Sequence, residues 1–405
     1  MRSMKQANVV LLAGLVILLI QSIVIAQGEQ SPTSVTPLDV ILLIDSSPSM
    51  EKTDPDQLRV HAARFLLDYL EATSQVLGVN YRGGVVNFGG TIGKTASLRP
   101  LQGGAVRDSI VAERIPFTDF RPPLDFALRE FRARSFGSGN TMAIVLFTDG
   151  EPQLGKERLS QQDKERYFRG EEIEGDASQL KLDQLVGELQ TAGVEIFVVA
   201  IGDARKDAAL WQSLIPADHY RSIDSTTNLA QVYHDFATDL IGGLEVQPQT
   251  LLAGQESRVV LDPYLEYALF SFVKDTADVT VSVSDPRGIP QPPTLGGGPD
   301  NLYEIYTIKK PQEGAWQVKA ANGGALWWLD QRLPVLTVTA PESPQVLGQP
   351  VVVSATLLRD QAPVTDERLE LQAVVKGPEI QQTYQMERKE EGRYEIPLEM
   401  SEPGV

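Results

Sequence analysis

The chain has 405 residues, room for two or three domains with ample core, and its 42% hydrophobic and 22% charged content excludes both global disorder and a polytopic membrane protein. Acidic residues outnumber basic ones 54 to 36, and the formal charge of -18 repels a phosphate backbone, so nucleic acid is expected to be a poor partner. With no cysteine there is no disulfide framework, thiolate zinc site, iron–sulfur cluster or cysteine nucleophile, and the three histidines (His61, His219, His234) show no metal-ligand spacing.

Arg2 and Lys5 precede an apolar run from Val9 to Ala26, broken only by Gly14, Gln21 and Ser22. A positive start, an apolar stretch and small residues at its end describe a signal peptide over 1–26, with cleavage after Ala26. The run is also just long enough to span a bilayer, so an uncleaved signal anchor is the alternative and would be the chain's membrane contact. In both cases the positive-inside rule places the rest of the chain outside the cytoplasm. Export without cysteine, and without an Asn-x-Ser/Thr sequon, points to a bacterial secreted or envelope protein. Residues 27–37 (QGEQSPTSVTP) read as a linker.

From 38 to 243 strand and helix patterns alternate. Asp39 to Ile44 (DVILLI) is a continuous apolar run, as expected of a strand buried on both faces of a parallel sheet. After the polar turn Asp45–Ser49, the residues Leu58, Ala62, Phe65, Leu66, Tyr69 and Leu70 recur at helical spacing. Tyr81–Phe88 and Thr95–Leu101 predict a hairpin, and helices are predicted near 105–114 and over 122–134. Thr141–Thr148, Glu195–Ile201 and Tyr220–Ile223 are further strands, and a last helix covers about 226–241. This alternation predicts an α/β fold with a doubly wound, mostly parallel sheet, whose ligands bind at the carboxyl ends of the strands.

The informative polar residues fall at those ends. Asp45, Ser47 and Ser49 form D-x-S-x-S after the first strand, Thr118 and Asp119 precede the 122–134 helix, and Asp149 ends the strand VLFT. The turn Asp45–Ser49 alone reads equally well as a helix cap, and Asp119 is read as a cap or as a residue standing behind the metal ligands. Together, two carboxylates and three hydroxyls are hard oxygen donors of the kind that suit Mg2+, with Mn2+ as an alternative.

This constellation resembles the von Willebrand factor A domain with its metal-ion-dependent adhesion site. The resemblance covers 38–243 and is carried by the segment Ile44–Met50 and by RVHAARFLLDYL, YRGGVVNF, TDFRPPLDFAL and VLFTDGEP. It implies that Ser47, Ser49 and Thr118 coordinate Mg2+ through their hydroxyls, while Asp45 and Asp149 act largely through bound water. It also implies a partner protein that presents Glu or Asp to the metal, and a coupling of metal engagement to the last helix. Pro48 and Pro123 stand where many members have glycine and alanine; neither replaces a ligand.

Other features point elsewhere. GGTIGKT (Gly89–Thr95) is one residue short of a phosphate-binding loop, since position 88 is Phe88, and is read as a hairpin turn. Ser138 lies in FGSGN, which is not a nucleophile elbow. Glu171, Glu172, Glu174 and Asp176 belong to an insertion after Asp149 that reads as a solvated loop rimming the metal face. With no nucleophile or phosphate loop in place, a non-enzymatic, extracytoplasmic protein-binding module is expected. A metal-dependent hydrolase and a structural envelope protein with a vestigial site are the alternatives.

After residue 243 short alternating runs (258–261, 268–273, 279–284, 303–308, 316–320 and 333–338) separated by Pro and Gly turns predict an all-β sandwich over 244–338, with Trp316, Trp327 and Trp328 as core. A second β-sandwich domain is expected over 339–405, short for its type and so expected to be incomplete.

Overall fold

The computed structural model describes residues 36–149, 182–201, 211–223, 226–241, 249–297, 301–332, 335–339, 350–359, 362–376, 381–389 and 392–399. The expected signal segment and the insertion carrying Glu171, Glu172, Glu174 and Asp176 lie outside these residues. Among the described residues no helix is long and apolar enough to cross a membrane.

The first sheet has six strands: β1 (Leu38–Asp45), β2 (Arg82–Phe88), β3 (Ile92–Pro100), β4 (Thr141–Thr148), β5 (Val194–Ile201) and β6 (Tyr220–Ile223). They lie in the order β3-β2-β1-β4-β5-β6, and all neighbours are parallel except the β2–β3 hairpin. The period of two along β1 explains why Val40 to Ile44 are all apolar. Leu38, Val40, Leu42 and Ile44 enter one core, while Ile41 and Leu43 enter the other. The first core receives α2 (Leu58–Leu77) through Phe65, Leu66, Tyr69 and Leu70, and α5 (Thr226–Ile241) through Val232, Phe236 and Leu240. The opposite core receives α3 (Arg121–Arg134) through Leu124, Leu128 and Phe131, and α4 (Leu182–Thr191) through Leu185, Val186 and Leu189. A one-turn helix, α1 (Met50–Thr53), follows β1.

The helix predicted near 105–114 is absent; only a 3-10 turn at Arg107–Ser109 forms there. Side chains have taken the carbonyls that a helix would use internally. Lys94 Nζ donates to the carbonyl of Asp108 (2.7 Å), Asn87 Nδ2 to that of Ser109 (2.8 Å) and Arg64 Nη2 to that of Ile110 (2.8 Å). GGTIGKT is a hairpin turn, with Ile92 already opening β3 and no helix behind it.

Two four-stranded antiparallel sheets follow. One holds β8 (Glu256–Leu261), β10 (Val281–Ser284), β11 (Pro290–Gln291) and β13 (Gly314–Ala320). The other, ordered β12-β9-β14-β7, holds β7 (Gln249–Leu251), β9 (Tyr267–Lys274), β12 (Tyr303–Lys309) and β14 (Ala325–Arg332). β7 and β14 carry no counterpart in the predicted strands. All eight residues of β9 are buried because the sheet is covered on both faces. Phe270, Phe272 and Trp327 face the core between the two sheets, while Leu269, Val273, Ile305 and Trp328 join the core built on α2 and α5. Residues 33–333 accordingly form one compact unit.

The remaining described strands belong to a second unit, which includes residues 334–405. β15 (Val335–Thr339), β16 (Pro350–Arg359), β20 (Glu387–Arg388) and β21 (Arg393–Glu399) share a sheet, with β17 (Ala362–Pro363) paired to β16. β18 (Gln372–Lys376) and β19 (Gln381–Gln385) form a separate hairpin. The strand predicted over 333–338 is therefore β15, and it pairs with β16 rather than with the preceding sandwich.

Candidate metal centre

The order β3-β2-β1-β4-β5-β6 reverses direction between β1 and β4, and a crevice opens at their carboxyl ends. Asp45 is the last residue of β1, and Asp149 follows directly on β4. Both are buried, Asp45 completely and Asp149 with 7% exposed.

The loop from Ser46 to Ser49 wraps around Asp45. Its Oδ1 accepts the backbone N–H of Ser47 (2.8 Å), and its Oδ2 accepts the hydroxyl of Thr148 (2.7 Å). Arg59 Nε donates to the Asp45 carbonyl (2.9 Å), and Arg59 is itself held by Asp54, which accepts the first amides of α2. The hydroxyls of Ser47 and Ser49 lie 2.9 Å apart and share one hydrogen bond. Across the crevice, Asp149 Oδ2 accepts the hydroxyl of Thr53 on α1 (3.3 Å).

Thr118 comes from the loop ahead of α3. That loop is tied to the first one by the amide of Ile115, which donates to the Ser46 carbonyl (2.8 Å). Thr118 is completely buried, yet its Oγ1 has no hydrogen-bond partner among the described residues, and neither has the buried Oδ1 of Asp149. Buried polar oxygens are nearly always satisfied, so two such oxygens on separate loops at the same strand ends are available to a further ligand. Asp119 is a different case: Oδ1 accepts the amide of Arg121 (2.9 Å) and the carboxylate pairs with the Arg121 guanidinium, so it caps the start of α3, as expected.

The electrostatics agree with the hydrogen bonding. Burial, and after it the charge of Asp149, pushes the Asp45 carboxyl up to about 7, against the bonds from Ser47 and Thr148. Burial also raises Asp149. Two carboxylates in one dry crevice resist joint ionisation unless a cation lies between them. Among the described residues no group of three or more His, Cys, Asp or Glu gathers. The donor set here is instead two carboxylates with the hydroxyls of Ser47, Ser49 and Thr118, and that set fits a hard divalent cation.

Sequence reasoning did not single out Thr148, Thr53 or Arg59, which hold the two carboxylates and the Asp45 carbonyl. Thr148 was discoverable, because a threonine beside Asp149 at the end of a parallel strand reaches towards the neighbouring strand end. Thr53 and Arg59 act through tertiary contacts that spacing does not reveal.

The family model described as von Willebrand factor type A domain matches residues 39–235. No curated protein matches the chain. Among solved structures, a von Willebrand factor type A protein from Catenulispora acidiphila is similar at 14% identity and a TM-score of 0.36, covering 80% of this chain and 63% of that one. The pilus adhesin SpaC from Lactobacillus rhamnosus GG is similar at 14% identity and a TM-score of 0.39, covering 90% of this chain and 52% of that one. The vWF domain of the type V pili tip protein Mfa5 from Porphyromonas gingivalis is similar at 15% identity and a TM-score of 0.38, covering 53% of this chain and 99% of that one. The chain thus spans between half and two thirds of the length of the first two.

Proposed function

Residues 39–235 are a von Willebrand factor type A domain, and from that premise we propose that the chain is a divalent-metal-dependent protein-binding module of adhesive type, acting outside the cytoplasm without catalysis. Asp45, Ser47, Ser49, Thr118 and Asp149 hold the cation, Mg2+ in the first instance and Mn2+ as a substitute. When bound, the metal supplies an electrophilic coordination position that a Glu or Asp side chain of a partner protein can fill. The chain's own residues do the rest. Ser47 N–H and Thr148 Oγ1 fix the rotamer of Asp45, Thr53 steadies Asp149, and Arg59 anchors the loop from beneath. With neutral hydroxyls as the direct donors and the two carboxylates acting largely through bound water, the cation would keep much of its charge towards an open position, which favours an anionic partner over a neutral one.

The observation that carries this reading is the pair of buried oxygens that have no hydrogen-bond partner among the described residues, Thr118 Oγ1 and Asp149 Oδ1. Calorimetric titration of Mg2+ and Mn2+ into the purified full chain tests it. Binding is expected for the wild type, lost in Asp45→Ala and weakened about tenfold or more in Thr118→Ala. Absence of binding by folded wild-type protein would overturn the reading. If binding is found, capture of acidic partner proteins is expected with Mg2+ and not with EDTA.

A further inference from the structure

The turn at Gly89 and Gly90, a plain hairpin connection by sequence, touches the third loop of the candidate metal centre. Gly90 donates its amide to the Pro116 carbonyl (2.7 Å), and the Gly89 carbonyl accepts the amide of Asp119 (2.9 Å). These two bonds bracket Thr118. The loop lies directly on bare glycine backbone. A Cβ on Gly89 would overlap the Ile115 carbonyl oxygen and come within 2.8 Å of Ile115 Cβ. A Cβ on Gly90 would meet the Pro116 carbonyl oxygen at 2.8 Å and Phe117 Cβ at 3.0 Å. Between the brackets, Phe117 is forced to a φ of 66°, a region that a bulky side chain occupies only when its surroundings impose it. The same network reaches the first loop, since Ser46 donates its amide to the Phe88 carbonyl (2.7 Å), one residue before the turn.

We infer that Gly89 and Gly90 are positioning residues for the metal centre: the bare turn is the seat on which the 115–119 loop rests, and it sets where the Thr118 hydroxyl stands relative to Asp45, Ser47 and Ser49. This rests on the metal-binding reading above. A side chain at either glycine lifts the loop and carries the hydroxyl away from the other donors. Displacements well under an ångström weaken metal sites, because ligand geometry must hold within a few tenths of an ångström.

The test compares Gly90→Ala, the milder intrusion, and Gly89→Ala with Gly187→Ala, a control on α4 where a Cβ meets nothing within 4 Å. Amide hydrogen exchange of the metal-free full chain is expected to quicken over 115–119 in both turn variants and to stay unchanged in the control. Mg2+ affinity by calorimetry is expected to fall about tenfold or more in Gly90→Ala, while the melting temperature in EDTA stays close to that of the wild type. Unchanged exchange over 115–119 would overturn the inference, as would Mg2+ affinity within about twofold of the wild type. An affinity loss matched by a large drop in the EDTA melting temperature would also overturn it, since the glycines would then serve general stability. Should the wild type itself bind no Mg2+, the functional reading falls with it, and the exchange measurement still decides whether the turn holds the loop.

Discussion

Asp45 carries a cost that the metal-free protein must bear. Burial, and after it the charge of Asp149, pushes its carboxyl up to about 7 in the folded chain against 3.8 for a free side chain. An acid with a raised folded pKa favours folding while it is protonated. Its contribution is therefore fully present below about pH 4 and is lost as the pH rises through about 7. By linkage the loss is on the order of 4 kcal/mol between those limits. In EDTA, the urea-unfolding free energy is expected to fall over this window, and Asp45→Asn is expected to flatten that fall. The same substitution is expected to abolish Mg2+ binding, so that one residue would trade stability of the metal-free chain against affinity. Saturating Mg2+ at pH 8 is expected to raise the melting temperature of the wild type and leave Asp45→Asn unmoved. A wild-type stability in EDTA that is flat between pH 4 and 7 would refute the argument.

At the scale of elements, the sequence was most readable where one periodicity governed. The buried strands β1, β4 and β5 announced themselves as continuous apolar runs, and helix α2 as an apolar stripe, because each meets its neighbours over its whole length. The five candidate donors could be picked out for a related reason, since they stand at strand ends where open parallel sheets bind their ligands. The segment around 105–114 was misread because its apolar residues suit a helix, while its conformation is dictated by three side chains from elsewhere in the chain. Asn87 is central among them: completely buried, it donates Nδ2 both to the Lys94 carbonyl (2.7 Å) and to the Ser109 carbonyl (2.8 Å). Asn87→Ala is expected to cost about 2–3 kcal/mol in urea unfolding, because it leaves the buried Ser109 carbonyl without this donor and also removes the bond to the Lys94 carbonyl. Exchange at 108–111 should quicken in that variant with no gain in helical circular dichroism. A cost below about 0.5 kcal/mol would show that the segment is held by its apolar plugs, Val106 and Ile110, instead.

On the scale of the whole molecule, the first β-sandwich is not a pendant spacer. Its sheet β12-β9-β14-β7 lies on helices α2 and α5 of the A domain and shares a core with them. The two adjacent tryptophans of β14 divide the work, because neighbours on a strand face opposite ways. Trp327 packs among Phe270 and Phe272 inside the sandwich, while Trp328 stacks on His234 of α5 at 4.7 Å between ring centroids and lies beside Phe65 of α2. A polar bond pins the same seam: the Tyr303 hydroxyl donates to the buried Asp68 carboxylate on α2 (2.7 Å), which also receives Arg107. By sequence β9 reads as one of several short alternating strands, and no local pattern could say that its second face is covered by a helix pair of the preceding domain. Such a joint core makes the two domains one cooperative unit. Thermal unfolding of the full chain is therefore expected to show the A domain and the first sandwich melting in a single transition. Trp328→Ala is expected to cost about 3–5 kcal/mol as a buried aromatic truncation and to split that transition in two. Tyr303→Phe removes only the bond to Asp68, so about 1–3 kcal/mol should be lost with the single transition kept. Two transitions already present in the wild type would mean that the seam holds the domains together without coupling their folding.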